Sequence, residues 1–261
     1  MSNLLFIAGR RIEPFLLPAG LLALWTLGAA QGWISAQVLP PPLFVWETLR
    51  ELATGGDLWM HAWASIQRVL IGFVAGSAIG LALGTAMGLS KKAEAYLLPS
   101  FNALVQVPVL GWLPFVLLLV GIGEPLKYIL IAKAALVPVA LNTLQGFRQA
   151  PPALREVGRV YGYGRRQEVL EIVLPTALPT LFTGLRLGFT KAWLSLVVVE
   201  LVASSEGLGY LIVYGRQLFQ LDLVMAAVIV VGALGYAIDR GLDAAERRVA
   251  RRHGAVAGAA R

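Results

Sequence analysis

Residues 64–89 read ASIQRVLIGFVAGSAIGLALGTAMGL. Arg68 is the one charge in this stretch, and it lies near one end. About 20 apolar residues in a helix cross the roughly 30 Å of hydrocarbon in a bilayer, so the stretch is long enough to span. One span constrains the rest, because in lipid only helices and closed barrels satisfy every backbone N–H and C=O internally. Working outward, five further apolar blocks occupy 14–32, 96–120, 125–147, 175–203 and 223–238. The reading is an all-α membrane protein with six transmembrane helices. Composition agrees: of 261 residues, 57% are hydrophobic and 14% charged, where soluble domains have about 45–50% and 25%. With no Cys and two His, disulfides, thiolate metal sites and a cysteine nucleophile are excluded, and no catalytic or metal-ligating residue is assigned. The block at 14–32 follows Arg10 and Arg11 but meets no small-residue cleavage site before Gln31, so it reads as a retained helix rather than a signal peptide.

Short cytoplasmic loops of membrane proteins hold an excess of Lys and Arg. With the N-terminus inside, the inner segments hold Arg10, Arg11, Lys91, Lys92, Arg148, Arg155, Arg159, Arg165, Arg166, Arg240, Arg247, Arg248, Arg251, Arg252 and Arg261, which is 15 of the 22 cations. The outer segments hold Arg50 and Arg216 beside Glu47, Glu51, Asp57, Glu206 and Asp222. Both termini are therefore expected in the cytoplasm. The same placement accounts for the net charge of +7 without nucleic acid as a partner, since no aromatic-interleaved basic face is present.

Within the spans, Gly72, Gly76, Gly80, Gly84 and Gly88 recur every fourth residue. Such a stripe lets another helix backbone approach closely, either as static packing or as a sliding surface. Pro99, Pro108, Pro114, Pro138, Pro175 and Pro179 interrupt the apolar blocks, which is tolerated where protein or a water-filled cavity satisfies the freed carbonyls. Charges inside spans cost roughly 2.5–3.5 kcal/mol each at helix centre. Arg68 and Lys127 are expected to snorkel at the outer interface. Lys133, Lys191 and Glu200 either pair with one another or line a wet path, with Asn102, Gln106 and Asn142 as polar company. A path lined by Lys133 and Lys191 favours an anionic solute. The residues at 31–63, with Trp46, Leu49, Leu52, Leu58, Trp59 and Trp63, read as an amphipathic segment at the outer interface.

The longest polar stretch lies between the fourth and fifth blocks. It runs RQAPPALREVGRVYGYGRR from Arg148 to Arg166, then QEVLEIVLP to Pro175. Pro151 and Pro152 suit a helix start, residues 153–161 a short helix, and Gly162 and Gly164 its stop. Glu156, Gly162 six positions on, and Ile172-Val173-Leu174-Pro175 after nine intervening residues resemble the EAA loop of bacterial ABC importer permeases. Val157 and Gly158 stand where that family has two alanines. The resemblance covers roughly 58–248. Residues 65–73 (SIQRVLIGF), Val107-Pro108 through Leu113-Pro114, and Ser205-Glu206-Gly207-Leu208-Gly209-Tyr210 are similar to the subgroup importing taurine, aliphatic sulfonates and nitrate.

The resemblance implies a type I ABC importer permease fold in a multi-pass protein of the bacterial inner membrane. It divides the chain into an N-terminal helix with outer segment (1–57), a five-helix core with the coupling loop at 148–174 (58–248), and a basic cytoplasmic tail (249–261). It implies that the helix at 153–163 enters a cleft on a separate ATPase, through Glu156, Val157, Gly158, Tyr161, Gly162 and Arg165, while Ile172, Leu174 and Pro175 pass its displacement to the fifth span. It also implies a second permease copy, two ATPases that hold ATP and Mg, and an extracytoplasmic solute-binding protein docking near residues 206–210. The chain has no G-x-x-x-x-G-K-[ST] phosphate loop and is not expected to be an enzyme or to hold a cofactor. A secondary transporter or channel working without an ATPase is the alternative reading; it lacks support from an internal repeat of spans, and copurification of an ATPase separates the two.

Overall fold

The computed structural model describes the backbone of residues 2–33, 35 and 37–253, and side chains from residue 16 to 248 except 34 and 36. The side chains of Arg10 and Arg11, counted above among the inner cations, and all those at 249–261, Arg251, Arg252 and Arg261 included, lie outside the described ones. Among those described, the chain is helical with no strand. In order come α1 (Ser2–Ala30), α2 (Pro42–Gly55), α3 (Asp57–Leu89), α4 (Lys91–Gln106), a 3₁₀ turn (Val109–Trp112), α5 (Leu113–Val120), α6 (Glu124–Arg148), α7 (Pro152–Val160), a single turn α8 (Arg165–Gln167), a π-helical stretch (Glu168–Val173), α9 (Leu174–Ala203), α10 (Leu208–Gln217) and α11 (Leu221–His253).

Three helices, α3, α6 and α11, are long and apolar enough to cross a membrane, and there are up to five spans if each of two bent pairs counts as one. Leu16–Ala30 is a shorter apolar helix. The third block is not the straight span read from hydropathy: it turns by 94° between Lys91–Gln106 and Val109–Val120. The cause is local. Pro108 has no N–H to give the helix, and its ring drives Val107 out of the helical region, to φ −81°, ψ 116°. The fifth block, extended back to Arg165 and on through α10, bends by 41°, and the last apolar block continues as one helix to His253.

α6 is the central element, packed between α3 and α9. The glycine stripe of α3 is what lets α6 approach. A methyl group added at Gly76 would fall onto the Ala132 backbone, and one at Gly84 would lie 2.5 Å from the Ala140 carbonyl oxygen. At Gly80 it would meet the Leu136 carbonyl at 2.8 Å, and at Gly88 the Phe147 Cβ at 2.7 Å. From Gly72 to Gly88, roughly four and a half turns, α3 thus lies flush on α6 with no room for a side chain at the glycines, so the stripe is a packing surface. Across α6, Val69, Ile131, Ala135, Phe189, Ala192, Trp193 and Leu196 form the core, with Phe73 meeting Phe189 edge-on at 5.4 Å. In the segment at 31–63, Leu49 and Leu52 of α2 pack on Leu58, Leu208, Leu211 and Ala227, while Trp46, Trp59 and Trp63 are exposed.

Candidate functional site

At the end opposite that segment, the loop after α6 forms a compact element. α7 opens with Pro152 in its first turn, where a missing N–H costs nothing. It closes on Gly162 at φ +74°, with Tyr163 N–H donating to the Gly158 carbonyl at 2.9 Å and Gly162 N–H to that of Arg159 at 3.0 Å. This paired bonding is the glycine-terminated helix end that satisfies carbonyls otherwise left open. Gly158 is buried, and a methyl there would lie 2.7 Å from Ile172 Cδ1, so α7 rests directly on the π-helical stretch. Arg155 donates to the Phe147 carbonyl at 3.0 Å, and Arg165 to that of Leu89 at 3.0 Å, tying the loop to the ends of α6 and α3. The neighbouring Glu171 carboxylate raises the Tyr163 phenol above its ordinary value.

The loop's base is apolar, with Phe147, Ala150 and Val173 buried against Leu89 and Leu174. Pro175 explains the π-helical stretch: its ring would clash with the carbonyl four residues back, and widening the turn relieves this. Thr176 Oγ1 donates to the Ile172 carbonyl at 2.8 Å and to the Val173 carbonyl at 2.9 Å. With its inner face fixed, α7 turns Glu156, Val157, Val160 and Tyr161 outward, and Val160 is 86% exposed. Val160 was not among the residues read from the sequence as coupling residues; the helical spacing from Val157 to Val160 and Tyr161 was the available signal.

The groove beside α6 holds three of the six polar residues expected along a path: Lys133, Asn142 and Lys191. A cavity of about 600 Å³ is lined by Val107, Pro108, Lys133, Pro138, Asn142, Lys191, Ser195 and neighbouring aliphatic residues of α6 and α9. Lys133 Nζ donates to the Val107 carbonyl at 2.7 Å and stands over the Trp112 ring at 5.2 Å, so it occupies the carbonyl freed by the break at Pro108. Asn142 Nδ2 donates to the Pro138 carbonyl at 2.8 Å. Asn102 and Gln106 are exposed on α4 and do not line this cavity.

Glu200 lies elsewhere and pairs with neither lysine. It is 1% exposed, and its carboxylate accepts from Arg68 Nη1 at 2.9 Å, Ser65 Oγ at 2.8 Å and the Gly209 N–H at 2.9 Å. The expectation that Arg68 and Lys127 snorkel is corrected here: both are buried, because carboxylates come to them. Arg68 takes Glu124 through Nε at 2.8 Å and Nη2 at 2.7 Å, and Glu206 through Nη2 at 2.7 Å. It also donates to the Glu206 carbonyl at 2.8 Å. Lys127 donates to Glu124 at 2.7 Å. Gly207 N–H donates to His61 Nδ1 at 2.9 Å, and Leu208 N–H to Ser65 Oγ at 2.8 Å. The network staples the 204–209 turn, the start of α6 and α9 onto α3. Gly207 sits at φ +110° against the Glu200 carboxylate, into which any added side chain would collide.

Comparison with known proteins agrees with this architecture. Residues 76–251 match the family described as binding-protein-dependent transport system inner membrane component. The putative aliphatic sulfonates transport permease protein SsuC of Bacillus subtilis is 39% identical over 91% of this chain and 86% of its own. The taurine transport system permease protein TauC of Escherichia coli is 34% identical over 91% and 88%. In fold, the chain resembles an inward-facing conformation of the MetNI methionine ABC transporter, with TM-score 0.61 and 21% identity over 74% of this chain and 97% of that one. A bundle of apolar helices with a rigid short helix on a polar loop, matched over most of its length by such relatives, is a permease: the chain belongs to the binding-protein-dependent transport system inner membrane component family, the membrane-embedded permeases of ABC importers.

Proposed function

We propose that this chain forms half of the translocation path of an importer for small solutes bearing an anionic group, of the taurine, aliphatic sulfonate or nitrate class, driven by two separate ATPase subunits. The observation that carries the reading is the outward face of α7: Glu156, Val157, Val160 and Tyr161 stand exposed on a helix whose other face is bolted down. Exposed apolar side chains grouped beside an acid mark a partner surface. A second copy of the chain completes the path, both termini lie in the cytoplasm, and ATP and Mg belong to the ATPases. A solute-binding protein supplies the outer face.

In this reading ATP binding draws two α7 helices together. The displacement enters α9 through the Gly158–Ile172 contact and the π-helical stretch, and Lys133, Asn142 and Lys191 face the route of the solute. The test is Glu156→Lys in the complex reconstituted with its ATPase. It should abolish solute-stimulated ATP hydrolysis or ATPase assembly while the permease remains monodisperse. Wild-type transport and assembly in that variant would remove α7 as the coupling element.

A further inference from the structure

The two lysines of the groove look alike in the sequence, but their surroundings differ. Lys133 has two partners within the chain: the Val107 carbonyl at 2.7 Å and the Trp112 face at 5.2 Å. Both belong to the segment where the chain turns by 94°. Lys191 is exposed in the middle third of the 30-residue α9 and, among the described residues, makes no hydrogen bond or ion pair. An ammonium at that depth needs water or an anion. Ser195 stands one helical turn on, on the same face, and lines the same cavity. Its hydroxyl reaches the Leu130 carbonyl only at 3.5 Å, the outer limit of a hydrogen bond. Asn142 gives one amide N–H to Pro138 and keeps a second.

We infer that the groove divides its two cations between two tasks: Lys191, with Ser195 and Asn142, is the subsite that meets the anionic group of the solute, and Lys133 is a positioning residue that holds the broken helix in place. The inference rests on the anionic solute class proposed above and deepens it. A sulfonate or nitrate presents planar or tetrahedral oxygens that accept from an ammonium, a hydroxyl and an amide together. The rest of the cavity is aliphatic, which suits the short carbon chain of a sulfonate, and few polar groups in an apolar pocket are what fix a ligand's orientation. Lys133, with its ammonium directed to a carbonyl, instead satisfies the Val107 C=O that loses its helical partner where the chain turns.

The native chain has no cysteine, so Lys191→Cys and Lys133→Cys each carry a single thiol, readable on the permease band of the assembled complex. The probe is 2-sulfonatoethyl methanethiosulfonate, itself a small sulfonate. Lys191→Cys should label at least tenfold faster than Lys133→Cys. In proteoliposomes with ATPase and binding protein, Lys191→Gln should lower ATP-driven taurine uptake at least tenfold with its thermal midpoint unchanged, and Lys191→Arg should restore at least a third. Lys133→Gln should lower the thermal midpoint. Equal labelling of the two thiols, full uptake by Lys191→Gln, or a lowered midpoint for Lys191→Gln with none for Lys133→Gln would overturn the division. If the unaltered complex takes up none of taurine, an alkanesulfonate and nitrate, the solute class fails, and labelling alone decides the division of tasks.

Discussion

Replacing Arg68 with Met removes five charge-assisted hydrogen bonds while keeping most of the side chain's volume. The five do not weigh equally. Glu124 and Glu206 are 40% and 49% exposed, and water-facing pairs contribute about 0–1 kcal/mol each. Glu200 is 1% exposed; without Arg68 it keeps only the Ser65 hydroxyl and the Gly209 N–H. Removing one partner of a buried pair costs about 3–5 kcal/mol, because the other charge stays buried. The Glu200 contact therefore dominates, and Arg68→Met should lower the unfolding free energy by about 3–5 kcal/mol. Glu200→Gln should cost less, about 1–3 kcal/mol, since Arg68 retains two carboxylates and a carbonyl. In the double variant the stranded charge is gone, so the two losses should fall short of additivity by at least about 1 kcal/mol. SDS titration in mixed micelles, followed by fluorescence of the seven Trp, measures the cycle. A loss under about 1 kcal/mol for Arg68→Met, or strict additivity, would refute the buried pair as the centre of the network.

Two further substitutions probe packing and backbone. Gly76→Leu places a side chain on the Ala132 backbone and should cost at least the upper end of the roughly 1–3 kcal/mol typical of overpacking. Gly232→Ala, with nothing within 4 Å of its added methyl, should be neutral or stabilising in the same titration; equal losses for both would sink the flush α3–α6 contact. Phe219 is 90% exposed at φ +57°, a conformation costing a side chain roughly 1–2 kcal/mol. Phe219→Gly should raise stability by up to about 1 kcal/mol, since glycine's freer unfolded chain offsets part of the relief, and a drop in the unfolding midpoint would show that its ring is needed where it stands.

What the sequence makes legible here is what local chemistry decides. Residue runs and the bilayer's thickness mark the membrane helices, and prolines and glycines at set positions mark both ends of α7, because a missing N–H or a positive φ acts within one turn. The turn at Pro108 was harder to read. Hydropathy averages composition and is blind to direction, so 96–120 reads as one rod although its proline is in plain view. The Arg68 network was less legible still. Ser65, Glu124, Glu200 and Glu206 come from separate elements, and nothing in their spacing says that the folded chain brings them to one guanidinium. The same limit hid the difference between Lys133 and Lys191, which depends on a carbonyl 26 residues from Lys133 in the chain.

The flush contact between α3 and α6 bears on how the molecule moves. With 25 residues at 1.5 Å of rise each, α6 is about 37 Å long, and it begins at Glu124 beside Arg68 and ends at Arg148 above the polar loop. A helix clamped to its neighbour turn after turn cannot bend or slide without forcing atoms into one another, so the pair acts as a stiff strut. The loop at one end of the strut and the carboxylates at the other are thus joined by the same pair of helices, and the chain's two bends, at 107–108 and 204–207, both lie outside it.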